Sequence, residues 1–107
     1  MRIKLIKTFT HNNKEYKELN FDFEKLTGQD LIDAEEITRR TGANIAIGAA
    51  DFSRNYLVSV AAKAASLPRE ALLNLSAQDF TNVLNQTLIF LSGADSVSLE
   101  EKNDKTV

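Results

Sequence analysis

The stretch from Ser66 to Leu91 constrains the fold most, because it contains the clearest helix of the chain and many of its apolar side chains. Ser76 can cap the first amides of a helix, Asp79 follows three residues later, and Gly93 supplies a left-handed end. Between these signals the residues of one helical face recur at steps of three, four and seven. Such a face cannot stay in water, so we expect the rest of the chain to cover it. The face comprises Phe80, Val83, Leu84, Thr87, Leu88 and Leu91.

The N-terminal residues predict a β-hairpin. Residues 2–10 alternate in polarity with a period of two, as half-buried strands do. The polar link that follows contains two consecutive asparagines, which tolerate the left-handed conformation of a hairpin turn. Residues 15–23 form the second predicted strand, and the spacing of its apolar residues slips between Tyr16 and Leu19, which indicates a bulge or a shift of pairing. Two strands alone are marginal in water, so we expect the hairpin to lie on helices.

The rest of the chain predicts helices. Residues 26–31 and 75–80 share one pattern, apolar, hydroxyl, small, Gln, Asp, apolar, which we interpret as one capping device used twice and not as an internal repeat. Asp51 or Ser53 can cap the next helix, whose alanine-rich end permits close approach of another helix. Pro68 prevents that helix from continuing. The three predicted helices cover about residues 28–41, 52–65 and 77–92.

These elements predict an α+β, mostly α fold, in which an N-terminal antiparallel β-hairpin packs on three α-helices. Residues 1–93 form a single globular domain in this interpretation. Residues 94–107 are rich in Ser, Asp, Glu and Lys and lack large apolar clusters, so they predict a flexible, disordered tail.

Composition excludes several classes of function. The chain has no cysteine, so it has no disulfide framework and no thiol chemistry. Its net charge is -2, and although residues 1–20 have a net charge of +3, nucleic-acid binders are usually basic as whole domains. No segment resembles a signal peptide, and no apolar run approaches the roughly 20 residues that cross a bilayer. We therefore expect a soluble, cytoplasmic protein that binds neither nucleic acid nor membranes.

Few residues are chemically eligible for a site. His11 is the only histidine and falls in a predicted turn, with no group recognisable as its orienting partner. The carboxylates of Asp33, Glu35 and Glu36 adjoin the outer face of the first helix near arginines, as solvated ion pairs do. The spacing of His, Asp and Glu matches no metal-binding pattern. The residues thus predict no catalytic, cofactor-binding or metal site, and an adaptor or assembly factor fits them better than an enzyme.

Residues 42–50 are apolar, small and uncharged, and glycines stand at positions 42 and 48. A phosphate-binding loop is excluded, because the required lysine and glycine spacing are missing. The segment fits a buried connector, the first turn of the next helix, or an exposed apolar loop of the kind that marks a partner surface.

The order of these motifs resembles the tail assembly chaperones of long-tailed phages, in particular the type found in Mu-like contractile-tailed phages and related prophages. That family has a short strand pair, a "gD" helix start, and a segment G-L-P-x-E-x-L-x-x-L-x-x-x-D-[YF] before the last helix. Ser66 stands where the family often has Gly. The matching residues are Leu67, Pro68, Glu70, Leu72 or Leu73, Leu75, Asp79 and Phe80.

The resemblance implies a protein without catalytic activity that binds the helical tape measure protein, keeps it soluble, and helps tail tube protein to polymerise. It also implies action in the cytoplasm of the bacterial host and absence from the mature virion. The alternative is a structural virion component or a self-assembling adaptor without catalytic activity, and homo-oligomerisation stays open. An apolar surface could cover a partner helix reversibly, and the residues expected to make that contact are Ala43, Ile45, Ile47 and Phe52.

Overall fold

The structure, a computed structural model, describes residues 1–40 and 53–93. Strands β1 and β2 form an antiparallel hairpin, a single 3-10 turn follows, and the remaining described elements are helices. This is the predicted α+β, mostly helical architecture. The elements are β1 (Arg2–His11), β2 (Lys14–Asn20), the 3-10 turn (Phe23–Lys25), α1 (Gly28–Arg40), α2 (Arg54–Ala65), α3 (Arg69–Leu72) and α4 (Ala77–Ser92).

The hairpin turn follows the sequence prediction. His11 pairs with Lys14, and the two residues between them, Asn12 and Asn13, have φ angles of 51° and 63°. A two-residue turn with both central residues left-handed matches the twist of the flanking strands, and asparagine tolerates this conformation better than other side chains do.

The second strand is shorter than predicted, because it ends at Asn20 and not at residue 23. Phe21 still exchanges main-chain hydrogen bonds with Met1, but the amide of Asp22 donates to the carbonyl of Ala64 in α2 at 2.9 Å. The backbone therefore leaves the strand ladder for the end of a helix. Phe21 and Phe23 are both buried there, with their rings stacked at 5.8 Å.

Helix α2 lies at the centre of the fold. All its residues from Tyr56 to Ala62 are buried, and it packs against α1, α3, α4, β2 and the 3-10 turn. A helix that is buried on nearly all sides shows little amphipathic pattern, which explains why the more strongly patterned α4 looked like the organising element. At its alanine-rich end Ala61 and Ala64 are almost fully buried, and the carbonyl of Ala64 accepts the amide of Asp22 from the backbone that follows β2.

The apolar face of α4 is covered as predicted, but mainly by α2 and β1. Val83, Leu84 and Thr87 on this face are buried. Helix α1 packs chiefly on α2 and fully buries only Ala34 and Thr38.

Local capping signals set the starts of α2 and α4. The hydroxyl of Ser53 accepts a hydrogen bond from the amide of Tyr56, so Ser53 is the N-cap of α2. The hydroxyl of Ser76 accepts one from the amide of Asp79 at the start of α4. Gly93 ends α4 with a φ of 69°. The short helix α3 was not predicted. It begins directly after Pro68 and buries Ala71 and Leu72. The predicted end of the first helix at about residue 41, the predicted start of the second at about residue 52, and the tail 94–107 lie outside the described residues.

Replacing Leu84 with Asp is expected to unfold the domain. The leucine side chain is 4% exposed, so the substitution buries a carboxylate without a partner and costs at least about 3 kcal/mol. Leu73→Asp is the matched control, because Leu73 is 49% exposed and its change should stay within about 0.5 kcal/mol. Thermal and urea unfolding of both variants measure the difference, and equal stabilities would show that the α4 face is not core.

Candidate partner-binding surface

Strand β1 contains a large bulge. Lys4 pairs with Glu18 and Phe9 pairs with Tyr16, so residues 5–8 of β1 face the single residue Lys17 of β2. The irregularity predicted between Tyr16 and Leu19 is therefore present, but the extra residues belong to β1. Ile6 lies at this bulge and is 75% exposed, more than any other large apolar residue in the described part of the chain.

The carboxylate of Asp79 holds the bulge in place. The amide of Ile6 donates to its Oδ1 at 2.8 Å, and the amide of Lys7 donates to its Oδ2 at 3.0 Å. The hydroxyl of Ser76 donates to the same Oδ2 at 3.0 Å. Asp79 is 1% exposed, so the first turn of α4 is joined to β1 through a buried charge whose oxygens accept three hydrogen bonds.

Burial raises the pKa of Asp79, but the hydrogen bonds from the amides of Ile6 and Lys7 and from Ser76 outweigh it, so the pKa lies below the ordinary value of 3.8. The group is therefore ionised at neutral pH. The carboxylate thus accepts hydrogen bonds from bulge amides that would otherwise lack a partner in the strand ladder.

The same sequence pattern at the start of α1 behaves differently. The amide of Thr27 donates to the carboxylate of Asp30 at 2.9 Å, and the amide of Asp30 donates to the hydroxyl of Thr27 at 3.2 Å. This is a reciprocal capping box, and the hydrogen bond from the Thr27 amide lowers the pKa of Asp30. At α4 the amide of Asp79 also donates to the hydroxyl of the capping residue, Ser76. The carboxylate of Asp79, however, accepts a main-chain amide of β1, more than 70 residues away in the sequence.

The exposed face of α4 carries no charge. Asp79 is the only charged residue in this helix of 16 residues, and it is buried. The outward positions recur at three- and four-residue steps and form one face, which we call the α4 strip. The α4 strip consists of Gln78, Thr81, Asn82, Asn85, Gln86, Ile89 and Phe90.

Apolar groups lie at both ends of the α4 strip. At its N-terminal end, Ile6 of the bulge and the first three turns of α4 line a shallow groove of about 420 Å³. At its C-terminal end, Phe90 is 38% exposed and stacks on Phe23 at 5.2 Å, beside the exposed side chain of Met1. The strip thus presents amide side chains between two apolar ends.

A network of polar side chains joins α1, α2 and α3. The Nε of Arg69 donates to Ser59 Oγ at 3.1 Å, and an Nη of Arg69 donates to Asn55 Oδ1 at 2.8 Å. Ser59 Oγ lies 3.2 Å from Thr38 Oγ1, and both hydroxyls are buried. These contacts fix α3 and α1 on α2, so this network is structural.

The four residues predicted to contact a partner, Ala43, Ile45, Ile47 and Phe52, lie outside the described residues.

Of the other residues considered for chemistry, the acidic residues lie on α1 as the sequence indicated, whereas His11 was predicted in the turn and is instead the last residue of β1, paired with Lys14. Glu35 forms an exposed ion pair with Arg39, and Asp33 accepts from Gln29. His11 stacks against Phe9 at the end of β1. Within residues 1–40 and 53–93, no three His, Asp or Glu side chains are grouped as metal ligands, and no helix is both long and apolar enough to cross a bilayer.

A scan against protein families matches residues 2–87 to the family described as phage tail assembly chaperone proteins, E, or 41 or 14. The chain belongs to this family. Searches of curated proteins and of solved structures returned no match. The match extends from β1 to Thr87 of α4, so it includes the bulge and Asp79, and the resemblance seen in the sequence is confirmed.

Two residues of the chaperone motif have clear structural roles. Ser66 ends α2 in the left-handed conformation, with a φ of 58°, where glycine is the least strained residue. Its hydroxyl accepts a hydrogen bond from Lys25 Nζ at 2.7 Å. Asp79, the last polar residue of the motif, connects α4 to the bulge. The sequence suggested only its capping role, although its position as the one charge in α4 was a visible signal of a further partner.

Asp79→Asn is expected to destabilise the domain by about 2 kcal/mol, because one of the two bulge amides then faces an NH2 donor and loses its acceptor. Asp30→Asn is the control, since it changes the same capping position where the hydrogen bonds are local and more exposed, and its effect should be clearly smaller. Urea unfolding measures both, and equal effects would contradict the role of Asp79 in holding β1.

The lowered pKa of Asp79 predicts loss of stability in acid. The unfolded chain takes up this proton near the ordinary pKa of 3.8, whereas the folded chain resists it to lower pH. The stabilisation is therefore complete above pH 3.8 and is lost as the pH falls through the folded pKa. Free energies of unfolding between about pH 2.5 and 6 should fall more steeply for the wild type than for Asp79→Asn. Parallel curves would contradict the prediction.

Proposed function

We propose that the chain acts as a phage tail assembly chaperone that binds the tape measure protein, keeps it soluble before assembly, and aids polymerisation of the tail tube protein around it. The observation that carries the proposal is the family match over residues 2–87. We further propose that it works without catalysis in the cytoplasm of the bacterial host, and that it is absent from the finished virion.

The physical requirement for this role is a surface that covers apolar helical segments reversibly. A long helical protein exposes amphipathic faces before assembly, and such faces dock in grooves through residues at steps of three, four and seven. Exposed apolar side chains next to uncharged polar ones suit reversible contact, because little charge has to be desolvated when they bind. Ile6, Phe90 and the α4 strip have this character.

The uncharged segment around residues 42–50 stays a second candidate for the contact, on sequence grounds alone. Its apolar side chains and the nearby phenylalanine suit an apolar partner surface. The residues proposed for this contact are Ala43, Ile45, Ile47 and Phe52.

Co-expression with the tape measure protein of the same gene cluster tests the proposal. The tape measure protein should become soluble and purify with the tagged chain, and it should remain insoluble without the chain. Leu73→Asp should preserve this effect and Leu84→Asp should abolish it, because only the second change unfolds the domain. Unchanged insolubility with the wild-type chain would overturn the proposal. Recovery of the chain in stoichiometric amount from purified tails would favour a structural virion component.

A further inference from the structure

The α4 strip differs from the exposed face of α1. Helix α1 has 13 residues, and six of them are charged. Helix α4 has 16 residues and exposes no charge, although charged residues make up 26% of the chain. Solvated helix faces normally carry charges, whereas the centres of protein interfaces are depleted of them. The contrast between the two helices indicates that the α4 strip is a contact surface.

The bulge adds an apolar anchor at the edge of this surface. The amide of Ile6 and the amide of the next residue, Lys7, each donate a hydrogen bond to the buried carboxylate of Asp79, so the exposed isoleucine is presented on a fixed backbone. Fixing a contact residue in advance reduces the ordering cost of binding. An exposed isoleucine with no partner brings no benefit to the monomer, since its apolar surface stays in water.

The charges beside the anchor indicate what kind of partner fits. Lys4 and Lys7 flank Ile6, both are exposed, and neither forms an ion pair with any residue in the described part of the chain. The N-terminal 20 residues have a net charge of +3. A basic border next to an uncharged strip complements a segment that carries acidic residues beside an apolar stripe.

The size of the surface indicates a single helix. From Gln78 to Phe90 the strip is about 18 Å long at 1.5 Å per residue, or roughly three turns. A stable dimer interface needs about 20–30 residues on each side, which is more than the strip and its border provide. An isologous dimer through this face would also bring two basic hairpins together.

We propose that the α4 strip, with Ile6 as its anchor, is the docking site for an acidic amphipathic helix of a partner protein. This inference rests on the proposed function and assigns the contact with the partner protein to the α4 strip. The helix lays its apolar stripe between Ile6 and the Phe90 end of the strip, while its acidic residues face Lys4 and Lys7.

Paired charge substitutions in the full chain test the assignment. Asn82 and Asn85 are exposed, and both Glu and Lys favour helix more than Asn does, so these variants should fold like the wild type. Asn82→Glu/Asn85→Glu should reduce the amount of co-expressed tape measure protein recovered with the tagged chain by about tenfold or more. Asn82→Lys/Asn85→Lys should retain it, because the added charges attract an acidic helix. Ile32→Glu is the control, since Ile32 is an exposed isoleucine on α1.

The outcomes separate the two proposals. If the wild type recovers no tape measure protein, the proposed function fails and this inference fails with it. If the wild type recovers it and the Glu pair recovers as much, only the α4 strip assignment is overturned. If the Glu pair and the Lys pair reduce the recovery of the tape measure protein equally, the partner helix is not acidic. If Ile32→Glu reduces the recovery as much as the Glu pair does, the contact is not specific to the α4 strip. A wild-type chain that sediments as a dimer, with the Glu pair monomeric, would make the strip an interface between copies and overturn the proposal.

Discussion

The hydrogen bonds of Asp79 connect the two halves of the described fold. The hairpin lies at one end of the sequence and α4 near the other, and one buried carboxylate accepts main-chain amides of the first and the hydroxyl that caps the second. Burying a charge is costly unless its hydrogen bonds are made, so this arrangement tolerates little change in position. The bulge, the seating of α4 on β1, and the outward position of Ile6 all depend on it.

The parts of the fold that were predicted from the sequence are those specified by local interactions. The serine caps of α2 and α4, the left-handed glycine after α4, and the Asn12–Asn13 turn each act within a few residues. The end of β2 was predicted wrongly, because the amide of Asp22 finds its acceptor in α2, far along the chain. The central position of α2 was also missed, since burial on nearly all sides removes the periodicity that reveals a helix face.

The candidate site was less accessible to sequence reasoning. Two segments share one capping pattern, yet Asp30 closes a local box while Asp79 binds amides across the fold. Nothing in the pattern distinguishes them, because the difference depends on which strand is packed nearby. The uncharged face of α4 was readable from composition alone, but its exposure becomes clear only once α2 and β1 are seen to cover the opposite side. The partner contact predicted from sequence, at Ala43, Ile45, Ile47 and Phe52, lies outside the described residues.

In the described part of the chain, helix α1 has one main neighbour, α2. It packs mainly on α2, fully buries only Ala34 and Thr38, and is fixed there by a hydroxyl contact with Ser59. Elements with few buried contacts open at lower free energy than the whole domain. Amide protons of α1 should therefore exchange with solvent by detachment of this helix, while those of α2 exchange only on global unfolding. Within the described residues, the hairpin, α2 and α4 should then unfold as one cooperative unit, and α1 should open separately.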